Sequence, residues 1–281
     1  MDEKQTQLEW EARAGRFAAF GALLTAALIV ATIGYRIAAV PTGANNVAEL
    51  LPQVHAHKTP FVIYGVLTGL SMLAFIIPLY YLFRATRFRR PELPNVTRIL
   101  IIVGPILVAI AAVWGPFRQA HAADQFVAGA IKTKKHAQDL VNHSTTTVAA
   151  ISLPAALATA IGVVLVSLHA MRAGLLSRFM GILGVILGGL FVIPLAPVPI
   201  VQLFWVLALG ALFLGFWPGA GRGPAWETGE AEPWPSAQGR FGAPAGAADS
   251  DGDDADVVDA DAAPTPNPRS SRKRKKKKAR R

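Results

Sequence analysis

Residues 179–217 read FMGILGVILGGLFVIPLAPVPIVQLFWVLALGALFLGFW, with no Asp, Glu, Lys or Arg anywhere in the run. Roughly 20 helical residues cross a hydrocarbon core of about 30 Å, so this run is about twice as long as one crossing needs. Pro194, Pro197 and Pro199 stand at its middle. Prolines this close together remove backbone donors and clash with the carbonyls before them, which disfavours one continuous helix. The stretch is read as two spans joined by a tight hairpin at the membrane surface. The alternative is one kinked helix followed by a re-entrant segment.

The rest of the chain repeats the pattern. Residues 17–35, 61–83, 99–117 and 144–168 are likewise uncharged. A core helix of a soluble protein keeps a polar face, and these runs have none. The expected fold is therefore all-α: a six-helix transmembrane bundle with spans at about 17–39, 60–83, 98–117, 145–168, 179–196 and 198–217. A cytoplasmic N-terminal segment, 1–16, precedes the bundle, and a disordered C-terminal tail, 218–281, follows it. The first apolar run exceeds the 7–15 residues of a signal-peptide core and is followed at once by Arg36, so it is read as a retained span. Composition agrees: 52% of the 281 residues are hydrophobic and 16% charged, against about 25% charged in soluble domains. The absence of cysteine excludes disulfides, cysteine-ligated zinc, iron–sulfur clusters and thiol nucleophiles.

Orientation follows the basic residues near span ends. Lys4, Arg13 and Arg16 precede the first span, Arg84, Arg87, Arg89, Arg90 and Arg98 fill the loop between the second and third, and Arg172 and Arg178 lie between the fourth and fifth. The opposite side carries Arg36, Lys58, Arg118, Lys132, Lys134 and Lys135. Six crossings place every strongly basic element in the cytoplasm, with both ends of the chain there, in a bacterial plasma membrane.

After Trp217 the composition changes. Residues 218–246 are rich in Gly, Pro and Ala, 249–261 hold seven aspartates, and 269–281 hold ten Lys or Arg. Such a segment buries too little apolar surface to offset the entropy of ordering. Its basic run, Arg272, Lys273, Arg274, Lys275, Lys276, Lys277, Lys278, Arg280 and Arg281, is suited to anionic lipid headgroups or to a cytoplasmic protein partner. Nucleic acid is disfavoured, because no aromatic residue is interleaved for base stacking.

The spans hold no central Asp, Glu, Lys or His, which disfavours ion-coupled transport. Their hydroxyls (Thr25, Thr32, Thr68, Ser71, Ser152, Thr159 and Ser167), together with Gln202, are expected to serve helix contacts. Gly65 and Gly69, and Gly181, Gly184 and Gly188, have the small-residue spacing that lets helices approach closely. Ser144–Thr147 is expected to cap the fourth span.

One constellation has the residue types for chemistry. His55, His57, His121, His136 and His143 map to the outer side with Glu49, Asp124 and Asp139. In a helix His136, Asp139 and His143 share a face, and His121 and Asp124 make a second i, i+3 pair. Imidazoles with a carboxylate suit zinc, copper or non-haem iron, and two imidazoles can ligate haem. The candidate metal ligands are therefore His57, His121, His136, Asp139 and His143. Surface histidines, or histidines that answer to pH, are the competing readings. Phosphate-loop, dinucleotide, H-E-x-x-H and G-x-S-x-G motifs are all absent.

The segment Ala170-Met171-Arg172-Ala173-Gly174-Leu175-Leu176-Ser177-Arg178-Phe179-Met180-Gly181-Ile182-Leu183-Gly184 resembles the loop and following span of an actinobacterial family of multi-pass membrane proteins of unknown function. Gly223-Pro224-Ala225-Trp226-Glu227 and Pro233-Trp234-Pro235 resemble its tail entry. The resemblance implies a helical fold in a bacterial plasma membrane and supplies no activity. Three functional readings follow from the sequence: a non-enzymatic membrane component with a lipid- or partner-contacting tail, a metal- or haem-binding membrane enzyme, and a carrier for a small neutral or lipidic molecule.

Overall fold

A computed structural model describes residues 3–41, 43–193, 199–216 and 222–234, all within one compact unit that spans 1–236. The acidic and basic blocks of the tail, Arg272–Arg281 included, and the prolines at 194 and 197 lie outside the described residues. The described residues are helical throughout their regular structure: α1 (Glu3–Ala39), α2 (Val47–Ala56), α3 (Lys58–Arg89), α4 (Val96–Ala128), α5 (Lys134–Arg172), α6 (Arg178–Val192), α7 (Ile200–Leu214) and α8 (Pro224–Thr228). Helices α1, α3, α4 and α5 are long and apolar enough to cross a membrane; α6 and α7 are apolar but have 15 residues each.

The helices are greasy outside and closely packed inside. Phe17 is 75% exposed and Ile99 and Leu153 59%, an arrangement water would penalise and lipid does not. Inside, association depends on how closely backbones approach, since lipid removes the hydrophobic drive between helices. The glycines serve that approach. A Cβ on Gly104 would lie 2.8 Å from the Thr159 backbone nitrogen, and one on Gly188 2.9 Å from the Ala160 carbonyl oxygen. Gly65 and Gly69 back onto the Ala112 and Ala109 carbonyls of α4, and Gly181 and Gly184 onto Met171 and Ser167 of α5. The hydroxyls of Thr25, Thr32, Thr68 and Thr159 donate to the carbonyl four residues earlier, and those of Ser71 and Ser152 to the one three earlier. Ser167 Oγ and Gln202 Nε2 are buried without a partner among the described residues.

The neighbours run α1–α3–α4–α5–α6, with α7 closing against α1 and α6. Antiparallel succession gathers the start of α1, the end of α3, the starts of α4 and α6 and the ends of α5 and α7 at one end of the bundle. At the other, α2 seats Leu51 and Val54 against Ala122, Ala123 and Phe126 of α4 and Ala137 of α5, a small second core.

Several boundaries differ from the sequence expectation. Residues 3–16 are continuous with the first apolar run as one helix and bury Gln7, Glu11 and Gly15. Arg84, Arg87 and Arg89 belong to the last turns of α3 and Arg98 to the first turn of α4, so the loop itself is short. Ser144–Thr147 do not cap a helix: α5 begins ten residues earlier, where Thr133 Oγ1 accepts from the His136 N–H. Ser144 and Thr145 instead donate back to the Val141 carbonyl. Residues 222–234, expected within a disordered tail, fold back onto the bundle through two tryptophans.

Replacing Gly104 by Ala forces α4 from α5 and is expected to lower stability by about 1–3 kcal/mol, the usual cost of overpacking. Gly189→Ala, where nothing lies within 4 Å, should be neutral or stabilising by up to about 1 kcal/mol. Thermal unfolding of the purified protein in neutral detergent distinguishes the two.

Candidate functional sites at the two ends of the bundle

At the end where α1 begins, Glu11 and Arg89 form a two-point ion pair. Arg89 Nη1 donates to Glu11 Oε1 at 2.6 Å and Nη2 to Oε2 at 2.9 Å, with side chains 0% and 3% exposed. Most of the remaining hydrogen-bonding capacity is also met. Arg89 Nε reaches the Ala225 carbonyl at 2.9 Å, Nη1 also reaches the Ala85 carbonyl, and Gln7 Nε2 donates to Glu11 Oε1. A buried pair holds only when its leftover hydrogen-bonding capacity is satisfied in this way.

An aromatic stack covers the pair. Trp226 lies nearly parallel to Tyr81, centroids 5.7 Å apart, and donates through Nε1 to the Leu175 carbonyl at 3.0 Å. Phe213 meets Tyr81 edge-on, and Tyr81 Oη donates to the Glu11 carbonyl. The returning strand of chain passes so close to Gly174 that a Cβ there would overlap the Glu232 carbonyl, and Gly174 has φ +73, so glycine is needed on both counts. The segments 170–184 and 223–234 thus touch each other. This end also carries Arg84 against the Trp10 ring at 3.9 Å, Arg98 near Tyr80 and the Lys4–Glu230 pair.

At the opposite end Asp124 accepts from Lys58 Nζ at 2.6–2.8 Å and contacts His55 Nδ1 at 2.6 Å, tying α4 to the junction of α2 and α3. The expected His121–Asp124 partnership is not made, since His121 Nε2 meets Gln125 at 3.1 Å instead. His57 Nδ1 bonds the Gln53 carbonyl, and His136 lies beside the Phe126 ring. Asp139 and His143 are exposed on α5. Among the described residues, His57, His121, His136, Asp139 and His143 included, no group of three or more His, Asp or Glu is placed to hold a metal ion. Beneath α2 lies a cavity of about 520 Å³, bordered by Leu50, Phe61, Thr68, Pro116 and Thr145 and by Arg36, which donates to Tyr64 Oη at 3.2 Å.

The start of α2 is a reciprocal cap. Asn46 Oδ1 accepts from the Glu49 N–H while the Glu49 carboxylate accepts from the Asn45 N–H at 2.9 Å and the Asn46 amide at 2.6 Å. The Asn45 backbone N–H, and after it the two asparagine amides, hold the Glu49 carboxyl below the usual carboxylate range.

Comparison with protein families, with curated proteins and with solved structures finds no match to this chain.

Sequence reasoning missed the Glu11–Arg89 pair. Its one signal was an acidic residue beside Trp10 at helical spacing from Gln7, and nothing in the arginine-rich stretch singled out Arg89 as partner. Arg89→Ala, or Glu11→Ala, leaves an unpaired buried charge and should cost about 3–5 kcal/mol; joint replacement by Met at both positions should recover much of that loss, measured by thermal unfolding in detergent. For α2 the sign runs towards acid. A depressed carboxyl contributes stability above about pH 4 and loses it as pH falls further. Hydrogen-exchange protection of residues 47–50 should fall on acidification in the native chain. In Glu49→Ala it should be low already at pH 7 and insensitive to acid.

Proposed function

We propose that the chain is a non-enzymatic, multi-pass component of a bacterial plasma membrane, with six crossings and both ends in the cytoplasm. It contacts anionic lipid headgroups or a cytoplasmic protein partner through Arg272–Arg281. The observation that carries the reading is the sorting of charge between the two ends of the bundle. Lys4, Arg13, Arg16, Arg84, Arg87, Arg89, Arg90, Arg98, Arg172, Arg178 and Arg222 collect where α1 begins and α7 finishes, against Arg36, Lys58, Arg118, Lys132, Lys134 and Lys135 at the other end. Such bias marks the cytoplasmic side. Trp226, beyond α7, packs beside Glu11 and Arg89 at the start of the bundle, which supports an even number of crossings. At about 22 Å, α6 and α7 are shorter than the core, a mismatch met by local thinning of the bilayer. The likeness of 170–184 and 223–235 to the actinobacterial family supports the bacterial setting.

Reporter fusions at the two ends should give the same cytoplasmic signal. Removing Arg272–Arg281 should weaken binding to anionic liposomes at low salt, by about tenfold or more given roughly 1 kcal/mol per basic residue close to the surface. Opposite reporter locations, or unchanged liposome binding, defeat the corresponding half of the proposal.

A further inference from the structure

A second basic feature at the arginine-rich end has a defined shape. Tyr80, Phe83, Arg84, Arg87 and Phe88 are spaced i, i+3, i+4, i+7 and i+8 on α3, so they share one face. With Asn95 and Arg98 at the start of α4 and Gln7 of α1, they enclose a pocket of about 360 Å³, within the range of small-ligand sites. No carboxylate lines it. Among the described residues none of its three arginines forms an ion pair. Arg84 stacks on Trp10, Arg98 sits near Tyr80, and Arg87 Nη1 donates to the Leu93 carbonyl at 3.0 Å, leaving donors on each guanidinium. Two carboxylates at this end are engaged elsewhere, Glu11 by Arg89 and Glu92 by Arg90. The α4 N-terminus, whose Asn95 makes no side-chain cap, adds the positive end of a helix dipole.

An exposed apolar stripe leads to the pocket. Val66, Leu70, Leu73 and Ile77 form an exposed stripe on α3 that continues, at the same helical spacing, into Tyr80, Arg84 and Arg87. Only beyond Leu73, further from the arginines, does a wholly apolar groove of about 540 Å³ open between α3 and α4, and it runs towards Trp114 and Phe117. Leu73 lies about 16 Å from Arg84 along the helix, close to the depth of one leaflet, about half of a 30 Å core. Three guanidiniums without an ion pair, at the level where the apolar run of α3 ends and next to an exposed apolar stripe one leaflet long, match a phosphate-bearing headgroup with acyl chains.

We propose that Arg84, Arg87 and Arg98 form a binding site for the phosphate headgroup of an anionic membrane lipid whose acyl chain lies along the exposed apolar stripe of α3 from Ile77 to Leu73. The inference rests on the reading that this end faces the anionic leaflet, and is independent of Arg272–Arg281. The test is native mass spectrometry of the full chain in neutral detergent, titrated with phosphatidylglycerol and with phosphatidylcholine. The native protein should retain phosphatidylglycerol about tenfold more tightly than phosphatidylcholine. Arg87→Gln/Arg98→Gln, which spares the Arg84–Trp10 stack, should abolish that preference while unfolding within a few degrees of native in lipid-free detergent. Arg13→Gln/Arg16→Gln, which removes the same charge at the same end outside the pocket, should keep it. A chain with residues 272–281 neutralised to Gln should also keep it, even if its liposome binding is lost, so failure of the tail reading stays separate. Equal preference in the pocket variant, or equal loss in the Arg13/Arg16 control, overturns the proposal. Stabilisation by inorganic phosphate matching that by phosphatidylglycerol assigns the pocket to a soluble anion and overturns the lipid assignment.

Discussion

A peptide group in hydrocarbon has no water to bond, so each membrane-embedded segment must close its own backbone hydrogen bonds. That constraint sets the rest of this structure. It makes the long apolar runs helical, and it confines loops, caps and charges to the two ends. With lipid as apolar as the side chains, what remains to hold helices together is close contact. Gly104 against Thr159 and Gly188 against Ala160 supply it, and Thr25, Thr32 and Thr159 donate their hydroxyls within their own helices. The exposed Phe17, Ile99 and Leu153 follow from the same cause, because the favourable surface for these helices is an apolar one.

The ends meet different demands. At the arginine-rich end several helix termini converge, and a buried ion pair joins the first helix to the third. The pair tolerates burial because the Ala225 and Ala85 carbonyls and Gln7 take up the groups that the two charges leave over. Trp226 then seals it from above. At the opposite end the joints are exposed: Asp124 bridges Lys58 and His55 in contact with water, and α2 rests on a small core of Leu51, Val54 and Phe126. The first arrangement is a rigid clamp. The second is held by polar ties that water weakens, beside a cavity of about 520 Å³.

The helical class and the positions of the apolar runs were legible because an uncharged stretch of some twenty residues has few physical outcomes. Glycine spacing was legible for the same reason, as small side chains at i, i+4 serve one purpose between helices in lipid. The ends were harder. Ser144–Thr147 resembled a cap, yet helices extend past the hydrocarbon whenever polar residues have helix propensity, and α5 starts at Lys134. Residues 222–234 had the composition of a linker, and Trp226 and Trp234 counted as isolated aromatics. What orders them is the Leu175 carbonyl and the Tyr81 face, contributed by residues 51 and 145 positions earlier, which no local pattern announces. The outer histidines shared helix faces as expected, but sharing a face on one helix does not bring a second helix's imidazole to the same point.

The arginines show why pairing matters more than number. Arg84, Arg87, Arg89, Arg90 and Arg98 lie within fifteen residues of one another in the sequence and are alike in composition terms. The fold separates them. Arg89 is turned inward onto Glu11 and becomes a structural joint; Arg90 leans on Glu92 in the loop. Arg84, Arg87 and Arg98 are left facing the lipid side without a carboxylate, at the level where the apolar stripe of α3 ends. An accessible guanidinium with free donors takes an anion readily, and the headgroup level of a membrane supplies phosphate. Among the described residues the one buried carboxylate at this end, Glu11, is already committed to Arg89, so a membrane phosphate is the partner proposed for the other three.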